Sequence, residues 1–207
     1  MSIPTTVVSA RRGPKPKPGT KENLIKAGMN MLHQMGYSAT GIKDIVDVAG
    51  VPKGSFYNYF ESKEAFAEQI IDTYFEQALP QLKSQLENPE RTPLERLQNY
   101  FQNRAESFIA TQYSQGCLLG NFSLEIADHS EQIRQRISYH FNTWTEQIEK
   151  CISEAQLKGE IKSTIPAALL ARFVLNSWEG ALVRMRADSN EEPLRDFMDI
   201  IFVAVLV

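Results

Sequence analysis

The chain has 207 residues, with 22 Lys and Arg against 25 Asp and Glu, a formal net charge of −3, 43% hydrophobic and 10% aromatic residues. These proportions exclude collagen-like and wholly disordered chains, and the length allows one domain or two small ones around a real hydrophobic core. No run approaches the roughly 18–20 uncharged apolar residues of a membrane-spanning helix, so no membrane association is expected.

The mean charge hides an asymmetry. Residues 1–60 carry eight Lys and Arg and three acids, net +5, whereas residues 61–207 carry a net charge of −8. A basic segment beside an acidic one points to a nucleic-acid partner for the basic part. Met1 to Ala10 lacks a basic stretch followed by an apolar one, so a secretory signal is not expected. Two cysteines, Cys117 and Cys151, are too few for a disulfide framework, and a cytoplasmic protein is the expectation. Arg11 to Gly19 holds Pro14, Pro16 and Pro18, whose missing N–H groups and fixed φ exclude helix and strand. Residues 1–19 therefore read as a flexible basic arm.

Helical periodicity begins at Thr20, an N-cap candidate, and continues through Leu24, Ala27, Met31 and Met35 to a C-cap at Gly36. A second helix opens at Thr40 and stops at Gly50. A third, with Pro52 at its first position, runs to Tyr59. Residues 20–64 thus have helix-turn-helix form, in which the second helix of the pair lies in the major groove. On that helix Phe56 and Phe60 share an apolar face. Gly54, Ser55 and Asn58 lie opposite, a small polar surface suited to close approach to DNA.

A fourth helix is expected from Ser62 towards Leu86, kinked or split at Pro80. Thr92-Pro93 caps a fifth to Tyr113, Cys117 to Ala127 is a short apolar sixth, and Ser130 begins a long seventh ending at Gly159. Pro166 begins an eighth to Ala187, and Pro193 begins the last. No strand pattern and no repeat of solenoid period is present. The fold expected is all-α with about nine helices: an N-terminal three-helix DNA-binding domain, and a C-terminal helical domain over residues 65–207 for effector binding and dimerisation.

The run Thr40-x-x-x-Asp44-Ile45-x-x-x-Ala49-Gly50-Val51-Pro52-Lys53-Gly54-Ser55-Phe56-Tyr57-Asn58-Tyr59-Phe60-x-Ser62-Lys63-Glu64 resembles the DNA-binding signature of TetR-family transcriptional regulators. Gly116-Cys117-Leu118-Leu119-Gly120-Asn121 and Trp178-Glu179-Gly180-Ala181 are similar to the subgroup of acrylate-responsive (AcuR) and electrophile-responsive (NemR) repressors. The resemblance implies a ligand-responsive homodimeric repressor of double-stranded operator DNA, released when a small-molecule effector spreads the two reading heads. It implies phosphate contacts from Thr40 and Lys63, and a recognition helix carrying Lys53, Gly54, Ser55, Tyr57, Asn58 and Tyr59. It also implies a minor-groove hook from Arg11, Arg12 and Lys15, and a dimer through the last two long helices.

In the C-terminal part, the helix from Pro166 is apolar around most of its circumference, more than one core-facing stripe needs. Ser177, Gly180 and Ala181 on it allow a second helix to approach closely. Cys117, at a helix start between glycines, is the candidate electrophile sensor, because a helix N-terminus favours a thiolate. The alternative is non-covalent binding, with Cys117 only packing. Phe101, Trp144 and Trp178, with the polar Asn121, Asn176 and Glu179, are the other effector-site candidates, since buried polar groups need partners. His33, His129 and His140 have no metal-ligand spacing, so neither metal nor cofactor is expected. No GxGxxG, Walker A, HExxH or GxSxG sequence is present, which argues against an enzyme.

Overall fold

A computed structural model describes residues 18–207. Among them run nine α-helices: α1 (Thr20–Met35), α2 (Ile42–Val48), α3 (Lys53–Phe56), α4 (Lys63–Leu86), α5 (Pro93–Ala110), α6 (Leu118–Glu125), α7 (Glu131–Leu157), α8 (Ala167–Asp188) and α9 (Glu192–Ile200). A π-helical turn, Ile201–Val205, follows α9. No strand occurs among the described residues, so the all-α expectation holds.

The caps explain most helix boundaries. Ser62 accepts from Ala65 N–H at the start of α4, and Thr92 with Glu95 forms a capping box at α5. Ser130 accepts from Ile133 N–H at α7. Two expected caps shift by one residue. Gly19, in the left-handed region at φ 79°, caps α1, and Thr20 is its buried first residue. Gly41 rather than Thr40 caps α2, with the Asp44 carboxylate accepting from its N–H at 3.0 Å. The third helix is shorter than expected, because Pro52 is its cap and the chain leaves helical geometry after Phe56. Pro80 does not split α4, which runs unbroken with Pro80 at an exposed position. There the missing N–H falls on the solvent side and its cost is smallest.

Helices α1 to α3 pack on one another and on the first turns of α4, around Leu24, Ile45, Phe56, Phe60 and Phe66. The Phe60 and Phe66 rings meet edge-on with centroids 4.8 Å apart. Helix α7 is the spine of the remainder, packed on α4, α5 and α8, while α9 closes on α8 and α5. Where α5, α8 and α9 meet, Phe101, Trp178 and Phe197 form a buried aromatic triangle with centroids 5.0–5.3 Å apart. Helix α6 lies between the two parts. The Gly116 carbonyl just before it is 2.5 Å from His33 Nε2 on α1, and Glu125 at its end accepts from Ser38 N–H at 3.0 Å.

Candidate DNA-reading head and effector cavity

Around α3 the two faces separate as the pattern predicted. Phe56 and Phe60 are buried, Lys53, Gly54, Tyr57 and Asn58 are exposed, and Ser55 and Tyr59 are half-buried. Nothing lies within 4 Å of where a Gly54 side chain would begin, so that surface is open to a partner. Two of the expected phosphate contacts are otherwise engaged. Thr40 is fully buried and its hydroxyl donates to the Gly36 carbonyl at 2.7 Å, tying the α1–α2 turn. Lys63 donates to the Tyr37 carbonyl at 2.5 Å with its ammonium 4.1 Å from the Tyr37 ring centre, and partial burial lowers its pKa. Both residues brace the head instead of reaching out from it. Arg11, Arg12 and Lys15 lie outside the described residues.

The effector candidates fall into four places. Phe101 and Trp178 are fully buried in the aromatic triangle and do not line the cavity and clefts that hold the other candidates. Cys117, Asn121 and Glu179 gather with Arg186 along an open cleft between α6 and α8. Arg186 donates to the Asn121 side-chain oxygen at 2.8 Å. Gly120 lets α8 approach, since a Cβ there would stand 2.5 Å from a Glu179 oxygen. Asn176, exposed on α8, borders a neighbouring cleft. The surroundings of Cys117 run against the reactive-thiolate expectation. The residue is buried, and burial together with the adjacent Glu179 pushes its thiol pKa well up. In turn, burial raises the Glu179 carboxyl to about 7.

Only Trp144 lines the most enclosed cavity, of about 100 Å³, between α4, α5 and α7. Its walls include Tyr74, Phe75, Leu79, Leu82, Gln85, Tyr100 and Arg104. Three of these carry buried polar atoms without a hydrogen-bond partner: Gln85 Oε1, Arg104 Nε and Trp144 Nε1. The apolar periodicity of α5 gave no reason to single out Arg104, although an arginine on the inward face, one turn beyond Tyr100, is a legible anomaly.

Comparison with known proteins decides what this arrangement is. Residues 24–70 match "Bacterial regulatory proteins, tetR family", and residues 93–201 match "Tetracyclin repressor-like, C-terminal domain". The chain belongs to the TetR family.

Among its relatives is the HTH-type transcriptional repressor DhaR of Mycobacterium sp. (strain GP1), 40% identical over 90% of this chain and 92% of that protein. The transcriptional regulator AcuR of Cereibacter sphaeroides is 32% identical over 94% of this chain and 90% of its own length. A crystal structure of regulatory protein TetR from Rhodobacter sphaeroides superposes with a TM-score of 0.83 at 30% identity, covering 89% of this chain and 97% of that one. The E. coli NemR reduced form gives 0.79 at 25%, covering 88% and 94%. In this TetR-family chain the N-terminal match runs into α4, the helix whose later turns wall the cavity, so one element serves both the head and the cavity. No described helix is long and apolar enough to cross a membrane.

Proposed function

We propose that this transcriptional regulator is a homodimeric repressor that leaves its operator when a small molecule binds non-covalently among α4, α5 and α7. The observation that carries the reading is the divided surface of α3, buried aromatic on one side and open, small and polar on the other. Lys53, Gly54, Ser55, Tyr57, Asn58 and Tyr59 are assigned to the operator, with Arg11, Arg12 and Lys15 adding a minor-groove hook. A gel shift on DNA upstream of the chain's own gene tests it. The log–log salt dependence of binding becomes shallower when residues 1–18 are deleted. An unchanged slope places the arm away from DNA.

A second copy is assigned to the outer face of α8. Leu169, Phe173, Asn176, Gly180 and Val183 recur there at spacings of four and three and are all exposed, with Ile200 at the end of α9 and Val203 and Val207 beyond it also exposed. An exposed apolar stripe of this length supports an isologous pair. Phe173→Asp converts the dimer to monomer in light scattering if the assignment is right.

The burial of Cys117 favours non-covalent sensing over covalent capture, because the nucleophile is the thiolate. Induction unchanged in Cys117→Ser supports this mode, and loss of induction restores the electrophile-sensing alternative.

A further inference from the structure

One peptide unit in the turn between α1 and α2 is gripped from two sides. Lys63, the first residue of α4, donates through its ammonium to the Tyr37 carbonyl at 2.5 Å. The Ser38 N–H, at the other end of that same peptide bond, donates to the Glu125 carboxylate at 3.0 Å. Glu125 is the last residue of α6. A cation on the peptide oxygen and an anion on its hydrogen both act along the peptide dipole, so each bond polarises and strengthens the other. Burial lowers the Lys63 pKa, and the Glu125 charge works against that. The turn is shaped to admit the acid. Gly36 stands at φ 83°, and a Cβ there would be 2.3 Å from a Glu125 oxygen. The Phe122 ring, one turn earlier on α6, meets the Tyr37 ring edge-on at 5.9 Å.

The gripped turn leads directly into α2 and α3, whereas α6 is fastened to the C-terminal helices. Asn121 on α6 accepts from Arg186 on α8, and Gly120 lies against Glu179 of α8. We propose that Glu125 is a positioning residue for operator reading: with Lys63 it fixes the Tyr37–Ser38 peptide, and so the angle at which α3 is presented. Two heads held at one angle each meet half-sites of one spacing. A head released from the grip samples other angles, and affinity falls with the fraction left in the competent pose. This inference rests on the homodimeric repressor reading above and adds to it the residue that sets the reading geometry.

The test is gel-shift titration of the full chain on DNA upstream of its own gene, with the bound site located by footprinting. Copies with one base pair inserted or removed at the centre of that site measure spacing discrimination. The wild-type chain binds those copies at least about tenfold more weakly than the native site. Glu125→Ala lowers affinity for the native site by about threefold to tenfold and narrows the discrimination to about threefold or less. Glu125→Gln, which keeps an acceptor without the charge, falls between. Glu125→Ala combined with Lys63→Met lowers affinity by less than the product of the single changes, because both act on one peptide. Arg96→Leu, which breaks bonds to Glu154 and Arg91 and none in the turn, keeps full discrimination, so general destabilisation is told apart. Hydrogen exchange reads the grip without DNA: amides of residues 36–41 exchange at least about tenfold faster in Glu125→Ala. Unchanged exchange, or unchanged spacing discrimination in both Glu125→Ala and Lys63→Met, overturns this inference and leaves the repressor reading standing. So does a wild-type chain that binds without regard to spacing. No binding of that DNA by the wild-type chain overturns the repressor reading and with it the role given to Glu125, and hydrogen exchange still decides the grip itself.

Discussion

The two ends of α5 each carry an inward-facing arginine, and they are built on opposite terms. At the first end Arg96 is 8% exposed, donates to Glu154 at 2.8 Å and to the Arg91 carbonyl at 3.0 Å, and Glu154 is also met by Lys158. Nearby, the Cys151 thiol donates to the Pro93 carbonyl at 3.2 Å. At the other end Arg104 Nε, Trp144 Nε1 and Gln85 Oε1 have no partner, and Cys117 is pressed against Glu179. Buried polar groups are normally satisfied, so atoms left without a partner beside a cavity set this end apart from the braced one. The lesson is that burial of an arginine says little by itself, and its partners decide whether it is a strut.

The largest expected effect breaks the satisfied end. Arg96→Leu removes the Glu154 and Arg91 bonds and leaves a half-exposed carboxylate short of one partner. About 2–3 kcal/mol of stability is lost, below the range for fully buried pairs because Glu154 is 39% exposed. Urea unfolding measures it. A loss under about 1 kcal/mol would make the two arginines alike.

Next comes the pH dependence of the unsatisfied end. The Glu179 carboxyl titrates near 4.5 in the unfolded chain and near 7 in the fold, mainly because of burial. Between those values the folded state holds more protons, so stability falls as pH rises from about 4.5 to about 7 and levels off above. The fall is on the order of 2 kcal/mol, and Glu179→Gln flattens it. A wild-type profile that rises through this window from the Glu179 contribution contradicts the burial seen here.

Lys63 marks the boundary of what the sequence carried. The head was readable because its information is local: glycine and proline punctuation, one aromatic face and a contiguous motif. Within it, Thr40 was misplaced because Gly41 and Asp44 take over the cap, which leaves the Thr40 hydroxyl for Gly36. The cavity was hidden because Tyr74, Arg104 and Trp144 come from three helices far apart in the chain. The burial of Cys117 was hidden for the same reason, since the acid that opposes its ionisation sits on α8. Lys63→Met loses the Tyr37 carbonyl bond and ring contact, about 1 kcal/mol. The salt slope of operator binding should stay unchanged. A slope reduced by about one unit would return Lys63 to the phosphates.

The smallest expected change in stability is the most telling. Arg104→Met replaces a partly buried cation, which makes no close ion pair among the described residues, with an apolar chain of similar reach beside Leu82 and Phe108. Removing such a charge is close to neutral or mildly stabilising, within about 1 kcal/mol, which is about 2–4 °C in Tm for a chain of this length. The same variant deprives Glu179 of a nearby positive charge that holds its pKa down, so the midpoint of the pH profile moves above 7. Near-native stability with a raised Glu179 midpoint is expected of an arginine that makes no strut. A drop comparable to that of Arg96→Leu would instead mean that Arg104 is held by contacts as firm as those at the other end of α5, and the distinction between the two ends would fall.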